Sequence, residues 1–456
     1  MKGRELWSSK LAFVLVATGS AIGLGNIWRF PIMVGQNGGA IFVLIYLFCV
    51  IFFALPILNA EISLGKAGGR SVVGVFKKFV PNGLWNKLGY LYIITSIFIF
   101  SYYSVIAGWV FNYLIFSITG KLSNMSSMEK TTEIFKNMSL SPQFQLFGLF
   151  IIIFLTALIV IGGIKSGIEK ICKVLMPILF ILLIILVLRS LTLKGAINGI
   201  KFYLFPDISK INAKVFISAM GQAFFSLSLG IGAMLTYGSY LSKKENIFKS
   251  SIWISFADTS VAFLTGLIIF PALFSIPQLA PSAGPSLIFL VLPIVFYNLP
   301  FGLFFEILFF LLVLIAALTS TISLMEISVT YLIDEKGLKR KNAVLLISFL
   351  TFILGLPSAL SFGISKNLTN FLNIFGGEKG FLDVLDIFFG HFALSIGSLL
   401  LCLFIAYKIG FLPVLESLNE PEKFSLQKTF KFFIKILCPL GIISLILFLF
   451  LNTGDI

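Results

Sequence analysis

The residues best suited to bind a small ligand lie in one glycine-rich stretch near the amino terminus, "GSAIGLGNIWRFP". Within an otherwise apolar segment it contains Gly19, Gly23, Gly25, Asn26 and Arg29. A helix that breaks inside a membrane frees backbone N–H and C=O groups, which lipid cannot satisfy and which must therefore line a cavity. Close helix packing is the alternative reading, because two glycines four residues apart match a known packing pattern. Packing accounts for neither the asparagine nor the arginine, so the stretch predicts a binding site.

A second interrupted apolar segment begins at Gly221 and reads "GQAFFSLSLGIGAMLTYGSY". It is broken by Ser226, Ser228, Gly230 and Gly232. Paired glycine-interrupted spans in corresponding halves of a chain are typical of the binding site of a secondary transporter. The two stretches therefore predict one shared site.

The composition indicates whether these stretches lie in water or in a membrane. The chain has 456 residues, of which 58% are hydrophobic and 12% charged, and its mean hydropathy is +1.04. Soluble domains have about 25% charged residues, so we predict an all-α polytopic membrane protein. A membrane helix needs about 20 apolar residues. Eleven such segments are predicted, near 11–33, 39–64, 88–118, 145–163, 168–189, 214–240, 248–274, 301–333, 342–360, 384–409 and 430–451.

The interrupted segments are the first and the sixth of these eleven spans, which favours two copies of one five-helix unit. We predict a single integral domain over 1–456, with five-helix repeats at 8–195 and 214–409 and an eleventh helix with a short carboxyl terminus at 426–456. The proline-broken segment that starts at Ser275 is predicted to be a re-entrant or lid-like loop.

The distribution of charge predicts the topology. Basic residues concentrate on one side, in segments such as "GKAGGRSVVGVFKKF" and "EKGLKRK", and such segments face the cytoplasm. We therefore predict an integral protein of the cytoplasmic membrane, with its amino terminus in the cytoplasm and, with eleven spans, its carboxyl terminus outside. The net charge of +15 then indicates contact with anionic lipid headgroups rather than with nucleic acid. No signal-peptide cleavage pattern is present, and the four cysteines lack the spacing of a metal site or a disulfide framework.

The glycine-rich stretch, followed by "QNGGAIF", resembles the start of the sodium-coupled neurotransmitter and amino-acid symporters, especially their bacterial members. Three further motifs match in order: "GQAFFSLSLG", "AALTSTISLMEISVTYLIDE" and "FLDVLDIFFG". The resemblance covers nearly the whole chain. It implies the leucine-transporter fold, in which the two five-helix repeats are inverted and helices 1 and 6 are broken in mid-membrane. It also implies symport of an amino acid with sodium.

The resemblance further implies two sodium sites. Sodium needs closely spaced oxygen ligands. The first site would use the Ala21 carbonyl, the Asn26 amide oxygen, Ser226 and Asp258, completed by the substrate carboxylate. The second would use the carbonyls of Gly19, Ile22 and Ala316 and the hydroxyls of Thr319 and Ser320. Back-bonding of these hydroxyls to the preceding helical turn is the alternative.

The substrate site implied by the resemblance lies between the two breaks. Its carboxylate would meet the amides of Leu24 and Gly25 and the hydroxyl of Tyr103, at the positive end of a half-helix. The full set of expected substrate residues is Ser20, Ala21, Leu24, Gly25, Ile99, Tyr103, Phe225, Ser226, Ser228, Ile231, Ser320 and Leu324.

Two positions bear on the substrate. Gly23 stands where family members for biogenic amines carry an aspartate, which favours a neutral amino acid. Ile231 stands where the leucine transporter has a phenylalanine, which favours a large aliphatic or aromatic side chain. The amino acid itself, the sodium stoichiometry, proton counter-transport and the oligomeric state stay open.

Asp258 departs from the family, which usually has asparagine there together with chloride or with a glutamate one turn later. That later position is Ala262. An unpaired carboxylate within an apolar span costs several kcal/mol, so a surface role is disfavoured. We expect Asp258 to ligate sodium and to supply the negative charge, which makes transport independent of chloride.

Pairs of opposite charge predict the two gates, the contacts that close the outer and the inner side of the binding site. Arg29 would meet Asp386 on the outer side, with Asp383 as a rival partner that the sequence leaves open. On the inner side Arg4 would meet Asp334, with Trp7 and Tyr240 packed nearby.

Two other polar residues have expected roles. Glu61 is expected to accept hydrogen bonds from the broken sixth span. His391, the one histidine, is expected to make a helix contact rather than to relay protons.

Two alternatives to a sodium symporter stay open. One is a proton-coupled carrier of the same fold, and the other is an amino-acid sensor that does not transport. No spacing of a nucleophile with a base, and no phosphate-binding loop, supports an enzyme.

Overall fold

The computed structural model describes residues 5–276, 287–374 and 377–451. Its first half contains α1 (Lys10–Ala21), α2 (Phe30–Gln36), α3 (Ala40–Cys49), α4 (Leu55–Gly68), α5 (Val72–Phe79), α6 (Leu88–Ile118), α7 (Met128–Ser139), α8 (Pro142–Ile161), α9 (Lys170–Leu191) and α10 (Ala196–Leu204). Its second half contains α11 (Ala213–Ser226), α12 (Ala233–Gly238), α13 (Ile247–Phe274), α14 (Leu292–Tyr297), α15 (Gly302–Lys336), α16 (Arg340–Leu360), α17 (Lys366–Thr369), α18 (Phe381–Leu385), α19 (Leu394–Leu403), α20 (Leu412–Leu418), α21 (Gln427–Phe432) and α22 (Cys438–Leu451).

Short 3₁₀ and π-helical segments connect or extend these helices. The π-helical ones are Gly25–Arg29, Val50–Ala54, Ile164–Glu169, Leu287–Val291, Asp386–Ala393, Phe404–Ile409 and Phe433–Leu437, and the 3₁₀ ones are Leu84–Lys87 and Ile208–Lys210. The strands β1 (Leu372–Ile374) and β2 (Gly377–Lys379) form an antiparallel hairpin, which the sequence analysis missed.

The described residues contain nine continuous helices that are long and apolar enough to cross a membrane. The pair Lys10–Ala21 and Gly25–Gln36, which bends by 54° at a short break, makes a tenth span if it crosses as one broken helix. The pair α11 and α12 would complete the predicted eleven if it crosses as one broken span, and that count stays a prediction. The fold is therefore the expected all-α membrane architecture.

Residues 277–286 of the predicted re-entrant loop that starts at Ser275 lie outside the described residues. Its far end is an apolar helical segment, Leu287–Tyr297, which is too short to cross a membrane. The connection between α6 and α8 contains the short helix α7, and the connection between α9 and α11 contains the short helix α10.

The centre of the bundle is formed by α6 and α15, which pack along one another and are buried over most of their length. Side chains cap the helices that surround them. Ser9 accepts a hydrogen bond from the Ala12 amide, and Asn246 accepts one from the Lys249 amide, contacts that satisfy otherwise free N–H groups.

The break between α11 and α12 is stabilised by backbone conformation and by one buried carboxylate. Ser228, Gly230 and Gly232 have φ of 52°, 76° and 84°, a left-handed region that ends a helix. The Gly230 amide donates to Glu61 Oε1 at 2.7 Å, the contact expected of Glu61. Helix α4 therefore fixes the break.

Substituting alanine for Gly230 tests this break. A β-carbon there would lie 2.0 Å from the Leu394 carbonyl oxygen. Gly410 is the matched control, because it also has positive φ, at 74°, yet a β-carbon added to it would have no described atom within 4 Å. Both variants take on strain of about 1 kcal/mol, and the overlap adds about 1–3 kcal/mol for Gly230→Ala. We expect Gly230→Ala to lower the thermal midpoint of the purified protein well below that of Gly410→Ala; equal midpoints would contradict the assignment.

Candidate functional site

A cavity of about 50 Å³ lies where the two helix breaks face each other. Eleven of the twelve expected substrate residues line it; Ser226 lies behind them. The lining residues are Ser20, Ala21, Gly23, Leu24, Gly25, Ile99, Tyr103, Phe225, Ser228, Ile231, Ala233, Ser320, Ser323, Leu324 and Leu394. The sequence analysis missed Ala233, Ser323 and Leu394 as lining residues. The wall is mainly apolar, and its polar part consists of hydroxyl and backbone groups.

The polar end of the cavity is the start of the second half-helix. The Leu24 amide donates to the Tyr103 hydroxyl at 3.0 Å. Gly23 lies against this pair, since a β-carbon there would be 2.9 Å from the Tyr103 hydroxyl and 2.5 Å from Ser320 Oγ. The absence of a side chain at Gly23 therefore keeps the end of the cavity open.

A first polar cluster is buried beside the cavity. The Asn26 amide nitrogen donates to Ser226 Oγ at 2.9 Å and to Asp258 Oδ1 at 2.8 Å, and Ser226 Oγ donates to Asp258 Oδ2 at 2.7 Å. The Tyr46 hydroxyl approaches Ser226 Oγ at 3.4 Å. Asp258 is thus fully buried and receives hydrogen bonds from two side chains. Ala21, the remaining residue expected here, lines the cavity.

The orientation of Asn26 differs from the expected one. Its amide oxygen accepts from the Gly23 amide at 3.1 Å, so the nitrogen, rather than the oxygen, faces the Asp258 carboxylate. A negative carboxylate attracts the N–H donors of an amide, which explains this orientation.

A second polar cluster lies on the other side of the first break. Ser320 Oγ donates to the Ile22 carbonyl at 3.2 Å, and Thr319 Oγ1 donates to the Ala316 carbonyl at 3.0 Å. A β-carbon on Gly19 would lie 3.3 Å from Thr319 Cβ, so the five expected residues are neighbours. Thr319 makes the back-bond that was the alternative, whereas Ser320 reaches across to the broken helix.

A larger vestibule of about 550 Å³ continues from the cavity. Five residues line both spaces: Leu24, Gly25, Tyr103, Phe225 and Leu394. The two spaces therefore adjoin one another at the helix breaks, and together they are called the path.

The charged residues expected at the outer gate line the vestibule without pairing. The Arg29 guanidinium lies over the Phe225 ring, 4.7 Å from its centre. Asp386 instead accepts a hydrogen bond from the Tyr102 hydroxyl at 2.8 Å and lies 3.5 Å from His391 Nε2. Within the described part of the chain, no Arg29–Asp386 ion pair forms within 4 Å. The expected contact is absent in this arrangement because each charge has another partner. Asp383 caps its own helix by accepting from the Gly380 amide at 3.1 Å.

The opposite end of the path is closed by packing around Trp7. Its indole Nε1 donates to the Tyr237 carbonyl at 3.0 Å, and its ring packs edge-on against Tyr240, 5.8 Å between centres. Tyr240 donates in turn to Glu326 Oε1 at 2.8 Å, and Glu326 forms an ion pair with Arg340. The Trp7–Tyr240 contact is the expected one.

The expected inner ion pair between Arg4 and Asp334 falls partly outside the described residues and stays a prediction. Arg4 lies outside the described residues, and Asp334 Oδ2 accepts from the Ser71 amide at 2.7 Å. Glu326 and Arg340 were missed by the sequence analysis. The signal that could have indicated them is a glutamate in the middle of an apolar span, since such a charge needs a partner.

Comparisons with known proteins give matches over most of the chain. The profile described as "Sodium:neurotransmitter symporter family" matches residues 4–139 and 129–455. The sodium-dependent transporter YhdH of Bacillus subtilis is 38% identical over 443 residues, which are 97% of this chain and 96% of YhdH. The sodium-dependent serotonin transporter of Drosophila melanogaster is 31% identical over 430 residues, covering 84% of this chain and 68% of the transporter. A crystal structure of MhsT in complex with L-phenylalanine superposes with a TM-score of 0.89 at 37% identity, over 99% of this chain and 100% of MhsT.

Substituting alanine for Gly23 tests the crowding at the polar end of the cavity. The added methyl group would displace Ser320 and Tyr103, and with them the contacts to Ile22 and Leu24. We expect the thermal midpoint of wild-type protein to be higher in sodium chloride than in potassium chloride. In Gly23→Ala we expect most of this difference to be lost. Gly221→Ala is the control, because its β-carbon would meet one atom only among the described residues, at 3.4 Å. A full sodium effect in Gly23→Ala would contradict this assignment.

Proposed function

This chain belongs to the sodium:neurotransmitter symporter family, and from that premise we propose that it imports a neutral hydrophobic or aromatic L-amino acid together with sodium. Members of this family are integral membrane transporters that depend on sodium, not enzymes. The observation that carries the proposal is the convergence of two broken helices on one apolar cavity, with a buried polar cluster on each side.

The polar end of the cavity suits the carboxylate of an amino acid. The second half-helix begins there, and the amino end of a helix favours anions because its N–H groups are free and its dipole is positive. We propose that the carboxylate meets the amides of Leu24 and Gly25 and displaces the amide of Leu24 from the Tyr103 hydroxyl, which then donates to the carboxylate instead.

The apolar end suits a hydrophobic side chain. Ile99, Phe225, Ile231 and Leu324 line it, and among the described residues no charged side chain does. Gly23 offers no carboxylate for an amine and, as described above, leaves no room for one. The MhsT structure contains L-phenylalanine, which supports an aromatic substrate. These features favour phenylalanine, leucine and similar amino acids.

The two polar clusters are proposed to bind one sodium ion each. In the first, the Ala21 carbonyl, Asn26, Ser226 and Asp258 would bind the ion after the Asn26 amide rotates to present its oxygen. The substrate carboxylate would complete this site, so sodium and substrate would bind more tightly together than apart. In the second, the hydroxyls of Thr319 and Ser320 would give up their hydrogen bonds to the carbonyls of Ala316 and Ile22. Both hydroxyl oxygens would then face the ion, together with the carbonyls of Ala316, Ile22 and Gly19.

Asp258 is proposed to make transport independent of chloride. Its carboxylate is buried in the first cluster, where it brings the negative charge that chloride brings elsewhere in the family. The neighbouring position one turn later, Ala262, carries no charge.

Alternating access is proposed to follow from the two ends of the path. Here the vestibule reaches the helix breaks while Trp7 and Tyr240 close the other end. The charge pattern predicts that the closed end faces the cytoplasm. Closure of the vestibule would bring Arg29 toward Asp386, and opening of the inner end would separate Trp7 from Tyr240.

The proposed function is tested by binding to the purified full-length protein. Thermal midpoints would be measured with each of the twenty amino acids, in sodium chloride and in potassium chloride. We expect phenylalanine, leucine and related amino acids to raise the midpoint in sodium only, because the substrate carboxylate completes a sodium site. Stabilisation that is equal in potassium for every ligand would contradict sodium coupling.

The role of Asp258 is tested by removing its charge. We expect sodium-driven uptake into proteoliposomes to be the same in chloride and in gluconate for wild type. We expect sodium-driven uptake by Asp258→Asn to fall at least tenfold in gluconate and to recover when chloride is added. Asp207→Asn is the control, because Asp207 is exposed in a connecting segment and should behave as wild type. A chloride requirement in wild type would overturn the assignment.

A further inference from the structure

We propose that His391 is a proton-dependent positioning residue for Asp386, and that acid on the vestibule side holds the outer gate apart. This inference rests on the proposed function, since it concerns the closure step of transport. It is carried by the contact between His391 Nε2 and Asp386 Oδ2, 3.5 Å apart.

The contact depends on a local change of helix type. His391 follows Asp386 by five residues, a spacing that puts two side chains on different faces of an α-helix. Residues 386–393 are π-helical, and the wider turn of a π-helix, whose backbone hydrogen bonds join residues i and i+5, brings these two positions closer to one face. The π-helical turn therefore turns the imidazole toward the carboxylate on its own helix.

Tyr102 holds the other carboxylate oxygen. Its hydroxyl donates to Asp386 Oδ1 at 2.8 Å. Gly390 makes room for both groups, because a β-carbon there would lie 2.3 Å from Asp386 Oδ1 and 2.7 Å from the Tyr102 hydroxyl. Asp386 is thus held against α6 and away from Arg29, whose guanidinium rests on Phe225.

The cluster is open to water and to other charges. The Asp386 side chain is 38% exposed and the His391 side chain 11%, and both line the vestibule, so protons from the vestibule reach the pair. The charged and titratable groups that line the vestibule around His391 are Arg29, Tyr102, Tyr103, Lys214, Asp383 and Asp386. Of these, Asp383 is engaged with the Gly380 amide, and Asp386 is the carboxylate within reach of the imidazole.

The direction of the effect follows from charge competition. An imidazole that gains a proton carries a positive charge. Protonated His391 pairs with Asp386 and competes with Arg29 for it, whereas neutral His391 releases the carboxylate to Arg29. Acid should therefore favour the open vestibule and weaken retention of the substrate.

The first measurement follows the gate without any substrate. The four native cysteines are buried, so Ile217→Cys, on the vestibule wall, can be labelled selectively with an environment-sensitive fluorophore. Labelling at one pH is followed by transfer to sodium buffers at pH 5.5 and pH 8.0. We expect emission typical of a more polar environment at pH 5.5, and no such change when His391→Gln is added.

The second measurement follows the consequence for binding. We expect the dissociation constant for L-phenylalanine in sodium to rise about fivefold from pH 8.0 to pH 5.5 in wild type. In His391→Gln we expect the dissociation constant to change less with pH. In His391→Lys, whose side chain is charged at both pH values, we expect the weaker affinity of wild type at pH 5.5 to be present already at pH 8.0. His391→Asn replaces the glutamine variant if that variant does not fold.

The outcomes separate the two proposals. No pH response of the fluorophore in wild type, or an equal response in the histidine variants, overturns the role of His391. Absence of phenylalanine binding at every pH counts against the proposed substrate, while the fluorophore alone then decides the role of His391.

Discussion

The structure depends on one constraint: backbone groups freed by a break in a membrane helix must find partners inside the protein. Each break here is satisfied by side chains from elsewhere in the chain. The Gly230 amide donates to Glu61, and the Gly25 carbonyl accepts from Gln222 at 2.8 Å. The Ser20 carbonyl accepts from Ser228 at 3.1 Å. Hydrogen bonds between the two broken helices therefore stabilise both breaks. The cavity lies between the breaks because their free backbone groups are satisfied in this way.

The same constraint links the site to the conformational cycle. Tyr103 and Ser320 satisfy backbone groups of the first break, yet they are also the groups that the proposed substrate and sodium ion would contact. A ligand that takes over these contacts changes what holds the break in place. A small ligand can then shift the equilibrium between two states of the protein, because it replaces contacts of similar strength instead of adding contacts to a rigid site.

Local chemistry indicated part of the candidate site, and the family resemblance implied the rest. Glycines, an asparagine and an arginine within an apolar run are costly in a membrane unless they serve a site, so Gly19, Gly23, Gly25, Asn26 and Arg29 could be identified from residue types alone. The partners of these residues were harder to predict. Tyr46 beside Ser226, and Tyr102 beside Asp386, are ordinary membrane-helix residues in the sequence, and no local pattern distinguishes them.

By itself, the sequence determined the membrane environment, the helical architecture and the positions of both breaks, because hydropathy, glycine and charge act over a few residues. Only the tertiary structure decided which groups meet: the nitrogen of Asn26 facing Asp258, Asp386 beside Tyr102 and His391 rather than Arg29, and the pairing of Glu326 with Arg340. Such contacts depend on the packing and rotation of helices that lie far apart in the chain. The His391 contact depends in addition on a π-helical turn, which helical periodicity in the sequence does not reveal.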